Sequence, residues 1–279
     1  MADDLLISNL FSVKDKIALI TGGGTGIGKM IAKAFVKNGA IVYIASRNKA
    51  NLDKVAKELT EMGPGKCLSI EADLNSKVAC EKLANDFKNL GNDKLDILVN
   101  NSGIGFRETL TEYSEEQWDA IYNLNVKCVF YLTIACLSLL EKASKKPVDP
   151  SRVINIGSIL GTAPNFILLF LVQSLGFSSI PYNTSKSALH SVSKNLAVHL
   201  TPRGINVNSL VPGMVPVTER SESSNELALS EVPQGRLGGE LDMAGTALFL
   251  ASRAASWVTG TEIIVDGGCL LRYKLTDLS

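Results

Sequence analysis

The chain has 279 residues, of which 46% are hydrophobic and 20% charged, so it can bury a substantial core. Its 28 Lys and Arg residues balance its 28 Asp and Glu residues, which argues against nucleic acid or an anionic membrane as a partner. The five cysteines are odd in number and show no CxxC spacing, so neither a disulfide framework nor a zinc site is expected. The N-terminus is acidic and lacks a basic leader region, and we expect a cytoplasmic protein.

Short apolar runs alternate with segments of helical period along the whole chain. Runs rich in Ile, Val and Leu predict strands at residues 16–21, 40–46, 66–73, 95–101, 151–158, 204–213 and 261–268. Helical patterns lie between them, and two of these patterns end at Gly39 and Gly91. This alternation predicts a three-layer α/β fold, a Rossmann-like doubly wound parallel sheet of about seven strands with helices on both faces. No break in composition marks a second domain, so we expect one domain over residues 1–279.

A glycine-rich stretch, TGGGTGIGK at residues 21–29, follows the first predicted strand and opens the first predicted helix. A tight turn there lets backbone N–H groups and the positive end of the helix face a pyrophosphate, which side chains on the glycines would block. The spacing differs from the common GxGxxG, and a purely structural loop is the alternative interpretation. The stretch predicts a dinucleotide site at Gly22, Gly24, Thr25, Gly26, Ile27 and Gly28.

The end of the second predicted strand reads Ala45-Ser46-Arg47-Asn48. An acidic residue at this point would favour NAD, whereas a cation accommodates the 2′-phosphate of NADP. Arg47 can pair with a phosphate, Ser46 can donate to it, and no carboxylate follows this strand in the sequence. The motif predicts NADPH, with an ordinary exposed loop cation as the alternative interpretation of Arg47.

A tyrosine and a lysine stand four residues apart at Tyr182 and Lys186, in a segment of helical character. A phenol titrates near about pH 10 and a neighbouring ammonium lowers its pKa, so Tyr182 is a candidate general acid or base. Ser158 ends a predicted strand at the edge where parallel sheets bind ligands, and Asn125 lies in a helical pattern. Each of these residues alone also has a structural explanation, as a surface pair, a turn residue or a helix-bending residue.

Together, these motifs resemble those of the short-chain dehydrogenase/reductase family, from about Val13 to Gly268. The matching positions are TGGGTGIG (21–28), Asp73-Leu74, NNSG (100–103), Asn125, Ser158, Tyr182 with Lys186, and Pro212-Gly213. Within the family, Ser46-Arg47, GRLGG (235–239), DMAGTALFLASRAA (242–255) and VTGTEIIVDGG (258–268) are similar to NADPH-dependent carbonyl and 3-oxoacyl reductases. That group includes a bacterial and fungal branch near the rhamnolipid-type ketoreductases.

The resemblance implies a role for each catalytic candidate. Tyr182 would protonate a carbonyl oxygen as hydride leaves the nicotinamide, and Ser158 would orient and polarise that carbonyl. Lys186 would bind the nicotinamide ribose, lower the pKa of Tyr182 and, with Asn125 and a water, connect the site to bulk protons. Cofactor contacts are implied for Ser46, Arg47, Asn48, Asp73, Leu74, Asn100, Asn101, Gly103, Tyr182, Lys186, Pro212, Gly213, Val215 and Thr218. No metal is required, and a homotetramer or dimer is expected.

The sequence departs from the family pattern at three places. Ser102 replaces the usual alanine of NNSG, and Thr218 stands one place late after the proline-glycine pair. The gap between Ser158 and Tyr182 is about twice the usual length, because residues 159–181 include an apolar insert with the run 166–172. This run is too short to span a membrane, and it could wall a pocket for bulky or long-chain apolar substrates, form a subunit interface, touch a membrane surface or extend the core. Residues 219–233 are a predicted substrate lid.

The sequence thus predicts an NADPH-dependent reductase of ketone or 3-oxoacyl carbonyl groups. A polyol or steroid dehydrogenase of the same family is the nearest alternative. A non-catalytic protein that senses NADP(H) is the alternative of a different class, because fold alone does not fix activity. The joint presence of Asn125, Ser158, Tyr182 and Lys186 favours the enzyme.

Overall fold

The computed structural model describes residues 5–106, 108–163, 179–217, 229–230 and 232–271. The apolar run at 166–172, Thr218 and most of the predicted lid at 219–233 lie outside the described residues. The roles expected for them therefore stay predictions.

Each of the predicted strands is present, with ends within three residues of the predicted ones. The strands are β1 (Ile17–Thr21), β2 (Ile41–Ser46), β3 (Lys66–Glu71), β4 (Ile97–Asn100), β5 (Ser151–Ile156), β6 (Ile205–Pro212) and β7 (Glu262–Val265). They form one parallel sheet in the order β3-β2-β1-β4-β5-β6-β7. The predicted doubly wound Rossmann-like fold is confirmed.

Helices connect the strands. They are α1 (Ile7–Leu10), α2 (Gly26–Lys37), α3 (Lys49–Met62), α4 (Lys77–Asn89), α5 (Glu115–Tyr122), α6 (Cys128–Ala135), α7 (Leu137–Ala143), α8 (Ile180–Leu200) and α9 (Glu240–Ala251). A π-helical turn at Asn123–Lys127 joins α5 to α6. The predicted ends of α2 and α4 are confirmed, since Gly39 and Gly91 take positive φ values just beyond them.

The core lies on both faces of the sheet because successive strand residues point to opposite sides. Ala18 and Ile20 of β1 face a layer built by α2, α3 and α9. Leu19, between them, faces a second layer built by α4, α6, α7 and α8. A strand buried on both faces must be apolar at nearly every position, which is why the strands read as unbroken hydrophobic runs.

The order of the strands fixes where a ligand can bind. The chain leaves β1 toward β2 on one side and later returns to place β4 on the other side, so the connections diverge at the carboxyl ends of β1 and β4. A crevice opens at such a switch point in doubly wound sheets. Thr21, the start of the glycine-rich loop and Asn101 all lie at this edge.

Among the described helices, no single one is both long and apolar enough to cross a membrane. Glu115–Ala135 and Leu137–Ala143 satisfy the length and composition requirements only as a pair bent by 56°.

The contact between Phe87 of α4 and Tyr43 of β2 yields a stability prediction. Phe87 is fully buried, and its ring meets that of Tyr43 edge to face at 5.0 Å. Phe87→Ala should therefore lower the free energy of unfolding by about 3–5 kcal/mol, because a cavity replaces the ring. Val78→Ala, on the same helix but exposed, should change it by less than about 0.5 kcal/mol. Urea denaturation measures both, and equal losses in the two variants would contradict this account of the core.

Candidate active site

The glycine-rich loop between β1 and α2 forms a close turn that excludes side chains. Gly22 has a φ of +65°, and a Cβ atom there would lie 2.7 Å from Nδ2 of Asn101. A Cβ at Gly28 would lie 2.5 Å from the carbonyl oxygen of Gly22. Helix α2 begins at Gly26, and the preceding Thr25 makes no side-chain hydrogen bond to the first-turn amides. These amides and the positive helix end are suited to a bound phosphate group, so the loop fits the predicted pyrophosphate.

Three side chains hold this loop in place. Asn101 donates from Nδ2 to the carbonyl oxygens of Thr21 (2.8 Å) and Gly22 (3.2 Å). The buried Thr21 hydroxyl accepts from the backbone N–H of Asn101, and Asn51 donates to the carbonyl oxygen of Gly24 at 3.0 Å. Sequence reasoning missed Thr21 and Asn51. Thr21 could have been found as the last strand residue before the glycines, whereas nothing in the sequence marks Asn51.

The predicted adenosine end of the site lies beside the loop, at the end of β2. Ser46 and Arg47 follow each other there, and the Arg47 side chain is 77% exposed. Asn48 is also present, but its side-chain oxygen accepts from the N–H of Asn51 at 3.0 Å and so caps α3. The sequence places no carboxylate directly after β2, but in the folded chain a carboxylate lies there, so this part of the argument is wrong. Strand β3 brings Asp73 to 4.0 Å from Nε of Arg47, although β3 is distant from β2 in the sequence.

Ser158, Tyr182 and Lys186 come together at the carboxyl end of β5. Ser158 follows this strand, and α8 presents Tyr182 and Lys186 one turn apart. The Tyr182 side chain is hydrogen-bonded to Ser158. Lys186 donates from Nζ to the carbonyl oxygen of Ile156 at 2.7 Å, and Nζ lies 5.7 Å from the centre of the Tyr182 ring. The i, i+4 spacing read from the sequence thus places both side chains on one helix face, next to the serine.

Burial governs the electrostatics of this cluster. It raises the pKa of the Tyr182 phenol, and the hydrogen bond with Ser158 opposes the rise only in part. Burial also lowers the pKa of Lys186 to about 8. The prediction that Lys186 lowers the pKa of Tyr182 is therefore wrong for this structure. The ammonium group is directed at Ile156, and the loss of water around the phenol, not the charge of Lys186, sets the direction in which the pKa of Tyr182 moves.

Asn125 lies in the π-helical turn and is fully buried. Its side chain accepts from the N–H of Ile104 at 2.9 Å and donates to the carbonyl of Ile104 at 2.9 Å and to the Ser185 hydroxyl at 3.0 Å. It therefore fastens the segment after β4 to α8. These contacts use both N–H groups of the side-chain amide and leave its oxygen one further acceptor site.

Gly103, of the NNSG motif, lies where these elements meet. A Cβ there would stand 3.2 Å from Oδ1 of Asn125 and 3.6 Å from Nζ of Lys186. Ser102 donates its N–H to the Thr21 hydroxyl at 3.0 Å, and its own hydroxyl points toward Gly22. The NNSG segment thus connects the glycine-rich loop to the Ser-Tyr-Lys cluster.

Asn100 has a different position from the one expected. Its side chain is buried and donates to Asn155 (2.8 Å) and Thr133 (3.2 Å), so it lies in the interior rather than along the crevice. Leu74 and Val215 are likewise buried, and Ile27 packs against the core.

Pro212 ends β6, and the next residue has little room for a side chain. Gly213 donates its N–H to Val265 at 2.9 Å, and a Cβ there would lie 2.6 Å from Cα of Asp266. Val217, further along, lies against Gly26, since a Cβ at Gly26 would stand 3.1 Å from Cβ of Val217. The segment after β6 therefore closes one side of the crevice at the glycine-rich loop.

Over the described part of the chain, no group of three or more His, Cys, Asp or Glu side chains is placed to hold a metal ion.

The sheet is doubly wound, a loop suited to a phosphate group follows β1, and a Ser-Tyr-Lys cluster follows β5. Together these features define a dinucleotide-dependent oxidoreductase. Residues 22–269 match the family model described as enoyl-(acyl carrier protein) reductase. The chain belongs to the short-chain dehydrogenase/reductase family, as its motifs indicated.

Relatives with named activities cover nearly the whole chain. The rhamnolipids biosynthesis 3-oxoacyl-[acyl-carrier-protein] reductase of Pseudomonas aeruginosa is 36% identical over 263 residues, 92% of this chain and 97% of the relative. The 2-dehydro-3-deoxy-D-gluconate 5-dehydrogenase of Bacillus subtilis is 35% identical and covers 95% of this chain and 99% of its own length. The solved Pseudomonas aeruginosa RhlG/NADP active-site complex has a TM-score of 0.85 at 35% identity, covering 93% and 98% of the two chains. The expected relation to rhamnolipid-type reductases is confirmed.

Burial of Lys186 predicts how stability depends on pH. Its pKa is about 8 in the fold and 10.5 in an ordinary environment, so between these values the unfolded chain binds more protons at this residue. The penalty for burying the charge is fully present below pH 8 and is relieved as pH rises toward 10.5, so stability rises with pH in that window. The difference in unfolding free energy between the natural chain and Lys186→Met should therefore shift in favour of the natural chain from about pH 7.5 to about pH 9.5.

Urea denaturation at both pH values measures this difference. Lys57→Met, which removes an exposed lysine from α3, is the control and should show no such shift. A pH-independent difference for Lys186→Met would contradict the buried ammonium.

Proposed function

We propose that this chain is an NADPH-dependent reductase that converts a ketone or 3-oxoacyl carbonyl to the hydroxyl. The observation that carries this proposal is the cluster of Ser158, Tyr182 and Lys186 at the crevice of a dinucleotide-binding sheet. A sensor that only binds the dinucleotide has no need of a half-buried phenol hydrogen-bonded to a buried serine.

Tyr182 serves as the proton donor. Its raised pKa keeps the phenol protonated at neutral pH, which is the form that can give a proton to a carbonyl oxygen. Ser158, hydrogen-bonded to the same phenol, holds that oxygen beside it and polarises the C=O bond. Bound NADPH supplies the hydride that the carbonyl carbon accepts. The carbonyl thus gains one proton and one hydride, and Tyr182 is left as a phenolate that must be protonated again.

Lys186 and the segment fastened by Asn125 serve this reprotonation. The lysine has a pKa of about 8, so both its protonated and its neutral forms are accessible near neutral pH. Such a group can pass a proton toward the phenolate and recover one from water. Gly103 leaves Nζ open on the side of the NNSG segment, where the ribose is expected.

The cofactor end of the proposal is based on the loop geometry and on Ser46 and Arg47. The loop accepts a pyrophosphate, and Arg47 stands exposed at the end of β2, free to form paired hydrogen bonds with a 2′-phosphate. Its contact with Asp73 is long, at 4.0 Å, and both side chains are more than half exposed, so it offers little competition to a phosphate. The similar RhlG structure is a complex with NADP.

The named relatives define two substrate classes to compare. Similarity to a 3-oxoacyl-[acyl-carrier-protein] reductase supports a 3-oxoacyl thioester, and similarity to a 2-dehydro-3-deoxy-D-gluconate 5-dehydrogenase supports a sugar acid. We favour the first because the chain also carries an apolar insert at residues 159–181 next to the catalytic residues in sequence.

Absorbance of NADPH, followed with a panel of carbonyl compounds, tests the function. The panel contains a 3-oxoacyl thioester of short and of long chain, a keto sugar acid and a cyclic ketone. Turnover of the thioesters or the cyclic ketone supports the proposal, and turnover confined to the sugar acid supports the dehydrogenase alternative. Tight NADPH binding without oxidation by any carbonyl would support the sensor instead.

Substitution of the proton donor gives a direct prediction. Tyr182→Phe should lower kcat by about 10²–10⁴-fold, because the ring remains and only the acidic hydroxyl is lost. NADPH affinity, measured by nucleotide fluorescence, should change far less than kcat. Tyr131→Phe, on α6, is the matched control and should retain activity. Undiminished turnover by Tyr182→Phe would end the assignment.

Substitution of Arg47 tests the choice of cofactor. Arg47→Leu should raise KM for NADPH by about tenfold or more while KM for NADH changes little, because only the phosphate contact is lost. Arg203→Leu removes the same charge at a site far from the crevice, where Arg203 pairs with Glu141, and controls for net charge. Steady-state kinetics with both cofactors measure the effect, and an equal rise for NADH would show that Arg47 has no part in discrimination.

A homotetramer or dimer and a cytoplasmic location remain part of the proposal. Light scattering after size-exclusion chromatography tests the assembly.

A further inference from the structure

His190 lies on α8, one turn beyond Lys186. Its side chain is buried, 5% exposed, and its ring lies between the end of β5 and the start of β7. The backbone N–H of Ser158 donates to Nε2 of His190 at 3.4 Å. On the other side of the ring, Nδ1 lies 3.2 Å from Oε2 of Glu262.

These two contacts determine which ring nitrogen carries the proton. The N–H of Ser158 can only donate, so Nε2 must accept and is unprotonated. The proton is then on Nδ1, where the Glu262 carboxylate accepts it. Glu262 is itself held by Nζ of Lys194 at 2.6 Å and by the hydroxyl of Thr162 at 3.4 Å. The carboxylate therefore orients the ring.

The residue before Ser158 shows that the chain is shaped for this contact. A Cβ atom at Gly157 would lie 2.3 Å from Nε2 of His190 and 2.9 Å from its Cδ2. Any larger residue at position 157 would displace the imidazole from the backbone. Glycine is thus required for the histidine to reach the serine.

We propose that His190, oriented by Glu262, is a positioning residue for Ser158, holding its backbone so that the hydroxyl meets Tyr182 and the substrate carbonyl. The proposal rests on the reductase function proposed above. The serine hydroxyl accepts from the N–H of Leu160 at 3.2 Å and is hydrogen-bonded to Tyr182. Its direction therefore depends on where the backbone at 158 is fixed, and His190 supplies a side-chain contact to that backbone.

This arrangement makes the position of Ser158 sensitive to pH. A protonated His190 would carry N–H groups on both nitrogens, so Nε2 would face the N–H of Ser158 as a second donor. The charged groups facing the ring are Glu262 from β7, and Lys186 and Lys194 from α8 itself. Burial lowers the pKa of His190 and the two lysines reinforce this, while Glu262 opposes it. The neutral form therefore holds at neutral pH, and the contact is lost as pH falls below the ordinary value of 6.5.

A measurement on the natural chain tests the geometry without any assay of activity. The sequence contains only two histidines, His190 and the exposed His199, so nitrogen NMR of histidine-labelled protein gives two sets of ring signals that His199→Gln assigns. The His190 ring should be the tautomer protonated at Nδ1, with an unprotonated Nε2. Glu262→Gln should weaken that preference. A His190 ring protonated at Nε2 at neutral pH would overturn the proposal.

Kinetics test the consequence for turnover. His190→Leu should lower kcat on the order of 10–100-fold, because a small displacement of Ser158 misaligns the carbonyl. His190→Gln, whose side-chain oxygen can accept from Ser158, should restore most of that kcat and abolish the loss of activity on the acid side of the pH profile. His199→Gln should leave both kcat and the profile unchanged.

If kcat of His190→Gln still falls at acid pH, with the same midpoint pH as in the natural chain, the proposal is overturned. NADPH affinity measured for each variant separates misfolding from misalignment, since the phosphate loop lies at β1, away from His190. If the natural chain reduces no carbonyl, the reductase function fails; the tautomer still decides whether His190 holds Ser158.

Discussion

The packing of α8 across the carboxyl end of β5 is the constraint on which the cluster of Ser158, Tyr182 and Lys186 depends. Lys186 donates to Ile156, and the Ser187 hydroxyl donates to the carbonyl of Gly161, both at 2.7 Å. The backbones come so close that a Cβ at Gly161 would lie 2.7 Å from the carbonyl carbon of Lys186. Gly157 permits the same close approach for the His190 ring. Helix and loop are thus joined on both sides of Ser158, and this fixes the serine relative to the phenol.

The same packing accounts for the electrostatics. A helix pressed against a sheet edge carries its polar side chains out of water, and each must find a partner or change its protonation. The Lys186 ammonium is bound by a backbone carbonyl, and the His190 ring contacts Ser158 and Glu262. The cost remains visible in the lowered pKa of Lys186 and the raised pKa of Tyr182. Burial therefore accounts both for the fixed positions of these side chains and for their shifted pKa values.

The sequence was sufficient for the strands, for the class of fold and for the placement of Tyr182 beside Lys186. Periodicity and local spacing determine these features, because a strand buried on both faces must be apolar and an i, i+4 pair must share a helix face. Periodicity and local spacing do not show which distant segments of the chain come into contact. Asp73 reaches Arg47 because β3 lies beside β2, Asn100 turns toward Asn155 of the neighbouring strand, and Glu262 meets His190 across 72 residues of sequence. The pKa of Tyr182 was predicted in the wrong direction because spacing gives the proximity of a charge but not the loss of water around it.

The protonation states in the cluster bear on which reaction the site favours. Reduction of a carbonyl needs a phenol that still holds its proton, whereas oxidation of an alcohol needs a phenolate that can remove one. Burial raises the pKa of Tyr182, and it places Lys186 near the point where its charge is lost, so little positive charge remains to stabilise a phenolate above about pH 8. Oxidation of an alcohol would need the phenolate that burial disfavours, whereas the proposed reduction uses the protonated phenol. The burial that α8 imposes at this edge of the sheet therefore also keeps the Tyr182 phenol protonated, which is the form that the proposed reduction requires.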